Sequence, residues 1–561
     1  MLRVLTCLLI LALPTALHAQ APTIDPPFPM GAQRGTTVEL TLTGSNLHDP
    51  LNVMTSFPGK VTIPTVHNNG KLPGKLVVRL EVPPSTPLGW HSFRLVTKRG
   101  VTAARLFCVD DLPQVIKTGA PNTWELAQTV PVPSVVCGTI EKDKADYYQF
   151  QARAGERLSF EVLGRRLGST LDPQLFLYHG KTRKQLAYSD DARGQDRDPR
   201  FGHVFAEAGT YVLEVRDARQ QGGKDWHYRL RLGDFPLTTT TFPLAVQRGI
   251  VTPVTFVGPP LEPMPVVRVA APAEAMSVAL SLWTTSPPLF PQRLYGLPSW
   301  PLSVPLSDVS EAVEIEPNDS PTTAPLLPVP SGMSGRIQKP GDKDFFLFKG
   351  KKGARYLIEV QTVELHSPAV VQMTLRDAAG KQLGLTTPDA QEMKIDFTAP
   401  AEGEYTLLVE HAFYQGSSED AYRFTIRPFA PGFTLATSTD HVNVPPGGAA
   451  AIAVQVTRRE YDGPIDVQVN GPPGVQGKVT VPAKQNSAQL MVQVSAKVPQ
   501  GAYALSIQGK ATINGQTVQG MVETTPAWKT TLNQLPQPPQ HLRRDFVLGV
   551  TEKPKFGWPF R

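Results

Sequence analysis

The sequence predicts an all-β chain, built as a tandem array of β-sandwich domains. Three observations carry this expectation. The 561 residues include 56 prolines and 45 glycines spread along the whole length, too many breakers for long helices or a coiled coil. Apolar residues recur with period two, as in Leu76, Val78, Leu80 and Val82, or Leu158, Phe160 and Val162. Two kinds of segment also repeat, which divides the chain into modules. With 41% hydrophobic and 19% charged residues, the chain is too apolar to remain disordered.

The elements follow in order. Arg3, the apolar run from Val4 to Leu13 and the small residue Ala19 make residues 1–19 a secretory signal peptide, with an apolar stretch too short for a stable membrane anchor. The mature chain is therefore expected in the periplasm, on the cell surface or outside the cell, and no later run is long enough to span a membrane. The first module covers residues 20–111. Its opening, Phe28-Pro29-Met30-Gly31-Ala32-Gln33-Arg34-Gly35, is echoed by Phe242-Pro243-Leu244-Ala245-Val246-Gln247-Arg248-Gly249 at the start of a third module, residues 235–312, which is proline-rich and irregular. The second module, 112–234, and the fourth, 313–428, repeat each other. Asp146-Tyr147-Tyr148-Gln149-Phe150 matches Asp344-Phe345-Phe346-Leu347-Phe348, and Gly209-Thr210-Tyr211 matches Gly403-Glu404-Tyr405. A fifth module, 429–525, carries Ile452, Val454 and Val456 with Leu490, Val492 and Val494. Residues 526–561, with Pro536, Pro538, Pro539 and Arg543-Arg544, lack alternation and read as an extended basic tail.

The chemistry is sparse. A net charge of +6 is scattered among acids, without the basic run that nucleic-acid binding needs. After export two cysteines remain, Cys108 and Cys137, each in a strand-like run; they form either a disulfide across the first domain boundary or two separate buried thiols. There is no GxSxG elbow, HExxH helix, phosphate-binding loop or GxGxxG, and His227, His366 and His411 show no paired metal-ligand spacing, so an enzyme is not expected. The cluster Asp190, Asp191, Asp196 and Asp198 is interleaved with Arg193, Arg197 and Arg200 and reads as a solvated, self-neutralised loop. Tyr295 and Trp300 are candidates for a stacking platform or, more simply, for core packing. Asp342 and Asp344, two apart on a strand, point to one face, with Lys343 turned away.

The segments Glu316-Pro317-Asn318-Asp319, Gly341-Asp342-Lys343-Asp344-Phe345-Phe346, Lys352-Gly353 and Gly403-Glu404-Tyr405 together resemble the bacterial pre-peptidase C-terminal domain, and residues 120–232 resemble a more diverged copy. The resemblance implies jelly-roll-like sandwiches on a secreted protein, often beside a protease, although no protease domain precedes either copy. The remaining modules resemble immunoglobulin-like domains. It also implies calcium in the second copy only, where Glu316, Asn318 and Asp319 would join Asp342 and Asp344 if the N-terminal segment lies across that strand; turn chemistry is the alternative. In the first copy Ala120, Thr123 and Lys144 replace three of these residues, so that site is expected to be dead. The function expected is that of a non-catalytic exported rod that binds an extracellular polysaccharide or protein. The alternatives are an accessory subunit of a secreted peptidase or other hydrolase, or an envelope spacer.

Overall fold

The computed structural model describes residues 21–259, 266–273, 275–282, 296–388 and 393–553. The signal peptide expected at 1–19 and Tyr295 lie outside the described residues. The chain is about 51% strand and 4% helix, in many separate sheets, as an array of sandwich domains requires. Alternation works as expected: in Lys75–Glu81 the residues Leu76, Val78 and Leu80 are fully buried while Lys75, Arg79 and Glu81 face water.

The second and fourth modules have one topology. Each pairs two five-stranded sheets. In the second module one sheet runs in the order Gln114–Ile116, Ser134–Thr139, His227–Gly233, Arg157–Leu163, Arg200–Val204. Its partner runs Gln128–Thr129, Ala145–Ala152, Gly209–Asp217, Pro173–His179, Gln185–Ser189. The fourth module repeats both orders from Ser310–Val313 to Ala421–Pro428. Among the described residues, the third module has two three-stranded sheets.

The tail departs from expectation. Residues Thr525–Thr531 form a helix, and Phe546–Val550 form a strand that pairs parallel with His441–Val444 and antiparallel with the start of Gly501–Ile513 inside the last module. The proline-rich stretch between them hid this from a pattern search. Burial explains the return: Phe546, Leu548 and Val550 complete the core of the fifth module, while Trp528, Leu532, Leu535 and Leu542 pack on Ala104 and Leu106 of the first.

The array is also not a rod, because the first and fifth modules meet. Arg94, 1% exposed, donates to Asp440 Oδ2 at 2.8 Å and to Asp545 Oδ2 at 3.2 Å, and Asn443 exchanges two hydrogen bonds with the backbone of Val101. Gly100 and Gly549 permit this approach, since a Cβ at either would collide with Asn443. The second and fourth modules meet as well, through Arg193 and Asp420 at 2.6 Å.

That contact revises the reading of the acidic loop. Asp198 is fully buried and accepts from the backbone N–H of Gly164, Arg165 and Arg166 and from Arg166 Nε, while Arg200 is buried and donates to Thr238 and Thr239 of the third module. The loop is therefore partly an intermodular joint, at Arg193, Asp198 and Arg200, while Asp191 and Arg197 remain exposed to solvent. Cys108 and Cys137 are both buried free thiols in this structure, and burial pushes the Cys108 thiol up to about 12. Trp300 is core, 4.8 Å from Trp90 and beneath Arg231.

Two outcomes follow. Leu548→Ala should destabilise the chain by about 2–5 kcal/mol in urea melts, where a free tail would give no change. His91 and His227 are held neutral, each with its pKa lowered to about 4, chiefly by burial. The unfolded chain takes up these protons near the ordinary histidine value of about 6.5, so the histidines' share of stability should fall as pH drops from there towards about 4, below which further loss comes from depressed carboxylates such as Glu161. A pH series of urea midpoints checks this, and the slope should be smaller in His227→Gln.

Candidate metal centre

The strand Lys343–Gly350 pairs with Gly403–His411, and its inward positions Asp344, Phe346 and Phe348 alternate with outward ones. Phe346 and Phe348 belong to the core, whereas Asp344, at the end of the row, is a carboxylate with no solvent exposure. Asp342 lies in the turn just before the strand, where its Oδ2 accepts from Gln338 N–H at 2.7 Å. The segment carrying Glu316 and Asn318 crosses here, tied by Phe345 N–H to Asn318 O at 2.9 Å. One carboxylate oxygen from each of Glu316, Asp342 and Asp344 therefore lies within 4.8 Å of the others.

Asn318 is fully buried in the middle of this group. The side-chain amide atom that faces inward lies 2.8 Å from Glu316 Oε2 and 3.2 Å from Asp344 Oδ1. With nitrogen at that position the amide donates to both carboxylates. With oxygen there, three oxygens converge without a proton between them, an arrangement that a hard cation satisfies. Asp319 is exposed and outside the converging set, although its charge reaches Asp344.

The sequence reading missed Glu314. Its Oε2 lies 3.2 Å from the Tyr422 hydroxyl, which also donates to Asp344 Oδ2 at 2.6 Å. Gly335 allows this crowding, since a Cβ there would collide with Tyr422 Oη and Glu314 Oε2. Burial, together with the neighbouring carboxylates, pushes the pKa of both Glu314 and Asp344 well above the ordinary carboxylate range. Lys339 approaches Asp342 only at 3.8 Å, from a side chain that is 68% exposed. The carboxylates offer only oxygen donors, which suits calcium and disfavours softer metals.

The second module holds the same framework with the charge reversed at one position. Lys117 follows the strand Gln114–Ile116 as Glu314 follows Ser310–Val313, and their backbone N–H groups donate to Cys137 O at 2.9 Å and Ser334 O at 3.0 Å. Tyr228 donates to Asp146 Oδ2 at 2.7 Å, as Tyr422 does to Asp344. Lys117 Nζ, however, sits 2.7 Å from Asp146 Oδ1 and 2.9 Å from Thr139 O. An ammonium is thus built in where the fourth module gathers only carboxylates. The sequence offered a signal for this, Lys117 against Glu314, but it becomes readable only once strand register aligns them.

Comparison with known proteins adds a family. Residues 144–217, within the second module, match the model of the bacterial pre-peptidase C-terminal domain. No curated protein sequence matches the chain. Among solved structures, the pre-peptidase C-terminal domain of the collagenase from Bacillus anthracis is similar at 18% identity and a TM-score of 0.17, covering 20% of this chain and 99% of that one. The M60 catalytic domain with CBM51 domains of ZmpB from Clostridium perfringens is similar at 8% identity and a TM-score of 0.14; the match covers 73% of this chain and 55% of that one. The four N-terminal immunoglobulin domains of Dscam1 are similar at 9% identity and a TM-score of 0.17, covering 89% of this chain and 98% of that one. One pre-peptidase C-terminal domain, at 144–217, is therefore present in the chain.

Proposed function

We propose that this chain is a non-catalytic, exported binding protein whose modules present surfaces to an extracellular polysaccharide or protein, and that residues 313–428 are a second pre-peptidase C-terminal domain holding one calcium ion. The observation that carries the calcium reading is the gathering of Glu314, Glu316, Asn318, Asp342 and Asp344 where the sibling module places Lys117. Four carboxylates in a largely buried site repel one another, and a divalent cation relieves this as the ammonium does in the second module. The ion's role would be structural: it would tie the segment at Glu316 to the strand at Asp344 and hold the fourth module against the third. Export is supported by the pattern of residues 1–19. Service as an accessory subunit of a secreted peptidase remains the second reading, favoured by the family match at 144–217. Co-purification of a hydrolase from the producing cell distinguishes it.

The full chain should melt higher in millimolar calcium than in chelator, with free ion at about 100 times the dissociation constant adding roughly 2.7 kcal/mol. Asp344→Asn should abolish the shift, and Glu314→Lys should abolish it while keeping the fold, because an ammonium then occupies the site. A calcium shift that survives both substitutions rules this site out. In the second module, Lys117→Met should cost about 3–5 kcal/mol in urea melts, since Asp146 is left buried without its counter-charge, whereas the exposed Lys144→Met should cost almost nothing.

A further inference from the structure

The outward face of one sheet in the second module is aromatic, and nothing in the metal reading uses it. Along Ala145–Ala152 the residues Asp146, Tyr148 and Phe150 point into the core, which turns Tyr147 and Gln149 outward. Tyr147 lies opposite Glu214, Glu214 opposite Phe176, and Phe176 opposite Tyr188, so one row crosses four adjacent strands. Tyr178 and Trp124 extend it, with ring centroids 6.1 Å apart for Phe176 and Tyr178, 5.7 Å for Trp124 and Tyr178 and 4.7 Å for Phe176 and Tyr188. Phe176 is the floor, 7% exposed beneath Arg216, while Tyr188 is 45% exposed.

Polar groups are threaded between the rings. Asp190 Oδ2 accepts from Tyr188 Oη at 2.8 Å and from Gln174 Nε2 at 3.0 Å, and Glu214 accepts from Tyr178 Oη at 3.1 Å and from Arg216 at 3.3 Å. Arg183, over the Trp124 ring at 5.0 Å, pairs with Glu125 at 2.8 Å. The charges on this face therefore largely pair among themselves, which leaves little field for an acidic or basic partner. Tyr147, Phe176 and Tyr178 sit on interior strands whose backbone ladders are already satisfied, while Tyr188 lies on the edge strand Gln185–Ser189, so over the central rings a peptide cannot add as a strand. A ligand must bind through its own faces and hydroxyls.

The sibling module sharpens the point. At the positions of Tyr147, Glu214, Phe176 and Tyr188 the fourth module carries Phe345, Leu408, Thr374 and Leu385, in the same register. One aromatic remains, and Leu408 replaces Glu214, although Gln372 and Glu410 keep polar groups at the positions of Gln174 and Arg216. The common fold does not require the aromatic face, because the same sandwich forms without it.

We propose that this face, centred on Trp124, Tyr147, Tyr178 and Tyr188, is a docking surface for a neutral polysaccharide. The apolar faces of pyranose rings stack on the aromatic rings, and sugar hydroxyls exchange hydrogen bonds with Asp190, Glu214, Gln174 and Arg216. This rests on the reading of the chain as a binding protein and gives that reading its ligand class and its site.

The test uses the full chain, in sedimentation with microcrystalline cellulose, chitin and collagen fibres, and in native gels cast with soluble xylan or mixed-linkage β-glucan. Retention by at least one polysaccharide is expected. Trp124→Ala and Tyr188→Ala should each weaken it about tenfold, while Tyr414→Ala, at an exposed aromatic of the fourth module, should leave it within about twofold of the unsubstituted chain. Thermal melts of each variant show whether the fold is kept. Retention by a polysaccharide that Trp124→Ala and Tyr188→Ala both preserve overturns the site and leaves the binding reading standing. Retention by collagen alone overturns the ligand class, and passage through every matrix overturns the site and the binding reading together.

Discussion

The arrangement of the modules depends on a single buried guanidinium. Arg231, 1% exposed, leaves a strand of the second module and donates to Asp110 Oδ2 of the first at 2.8 Å, to Glu161 Oε2 of its own at 2.7 Å and to Pro298 O of the third at 2.9 Å. Its plane lies over Phe235, 4.3 Å from the ring centroid. Burying such a cation is costly unless every donor is met, and here the groups that meet it come from three modules at once. The modules are thereby fixed in orientation, which apolar contact alone would not achieve. Glu161 is shared with Arg166, which in turn holds Asp198 at 2.8 Å, so the tie continues into the loop that reaches the fourth module through Arg193 and Asp420. Desolvation alone would raise the Glu161 pKa, but the surrounding guanidiniums outweigh it and hold the value down to about 2.

The same device recurs where the chain closes. Arg94 in the first module meets Asp440 of the fifth and Asp545 of the returning tail, so both joints use a buried arginine between carboxylates of different modules. Arg423 of the fourth module repeats the theme with Glu311 at 2.6 Å, and the neighbouring backbone registers place Arg229 of the second module at the matching position. There Gln114 stands in for the glutamate, and Arg229 donates to its Oε1 at 2.8 Å and to Cys137 Sγ at 3.2 Å. Cys137 is therefore a side chain packed around a cation in this structure, a role different from the cross-link that export suggested.

The second and fourth modules share one framework and differ in the charges placed around it. Tyrosine, aspartate and the close-approach glycine recur as Tyr228, Asp146 and Gly138 and as Tyr422, Asp344 and Gly335. The hydroxyl–carboxylate pair is thus the constant part. What varies is the charge around it: Lys117 stands in one copy where Glu314 stands in the other, and Ala120 and Lys144 take the places of Glu316 and Asp342. The aromatic face of the second module varies independently on the opposite side of the same sheet, because outward positions are free of the packing that fixes Tyr148 and Phe150.

The sequence by itself determined the fold class, the matching topologies of the second and fourth modules and most of the acidic cluster. These are local or repeated patterns: alternation sets which side of a strand is buried, and a repeat announces a shared topology without any contact being known. Asp342, Asp344, Glu316 and Asn318 were legible because they lie in motifs, while Asp319 in the same motif turned outward. Only the tertiary structure decided the rest. Glu314 and Lys117 gain meaning from register, the returning strand Phe546–Val550 from its place beside His441–Val444, and the closure of the array from Arg94 finding carboxylates 346 and 451 residues away. Such long-range pairing leaves no periodic trace, since a buried arginine reads in sequence like any surface one until its partners are brought together in space.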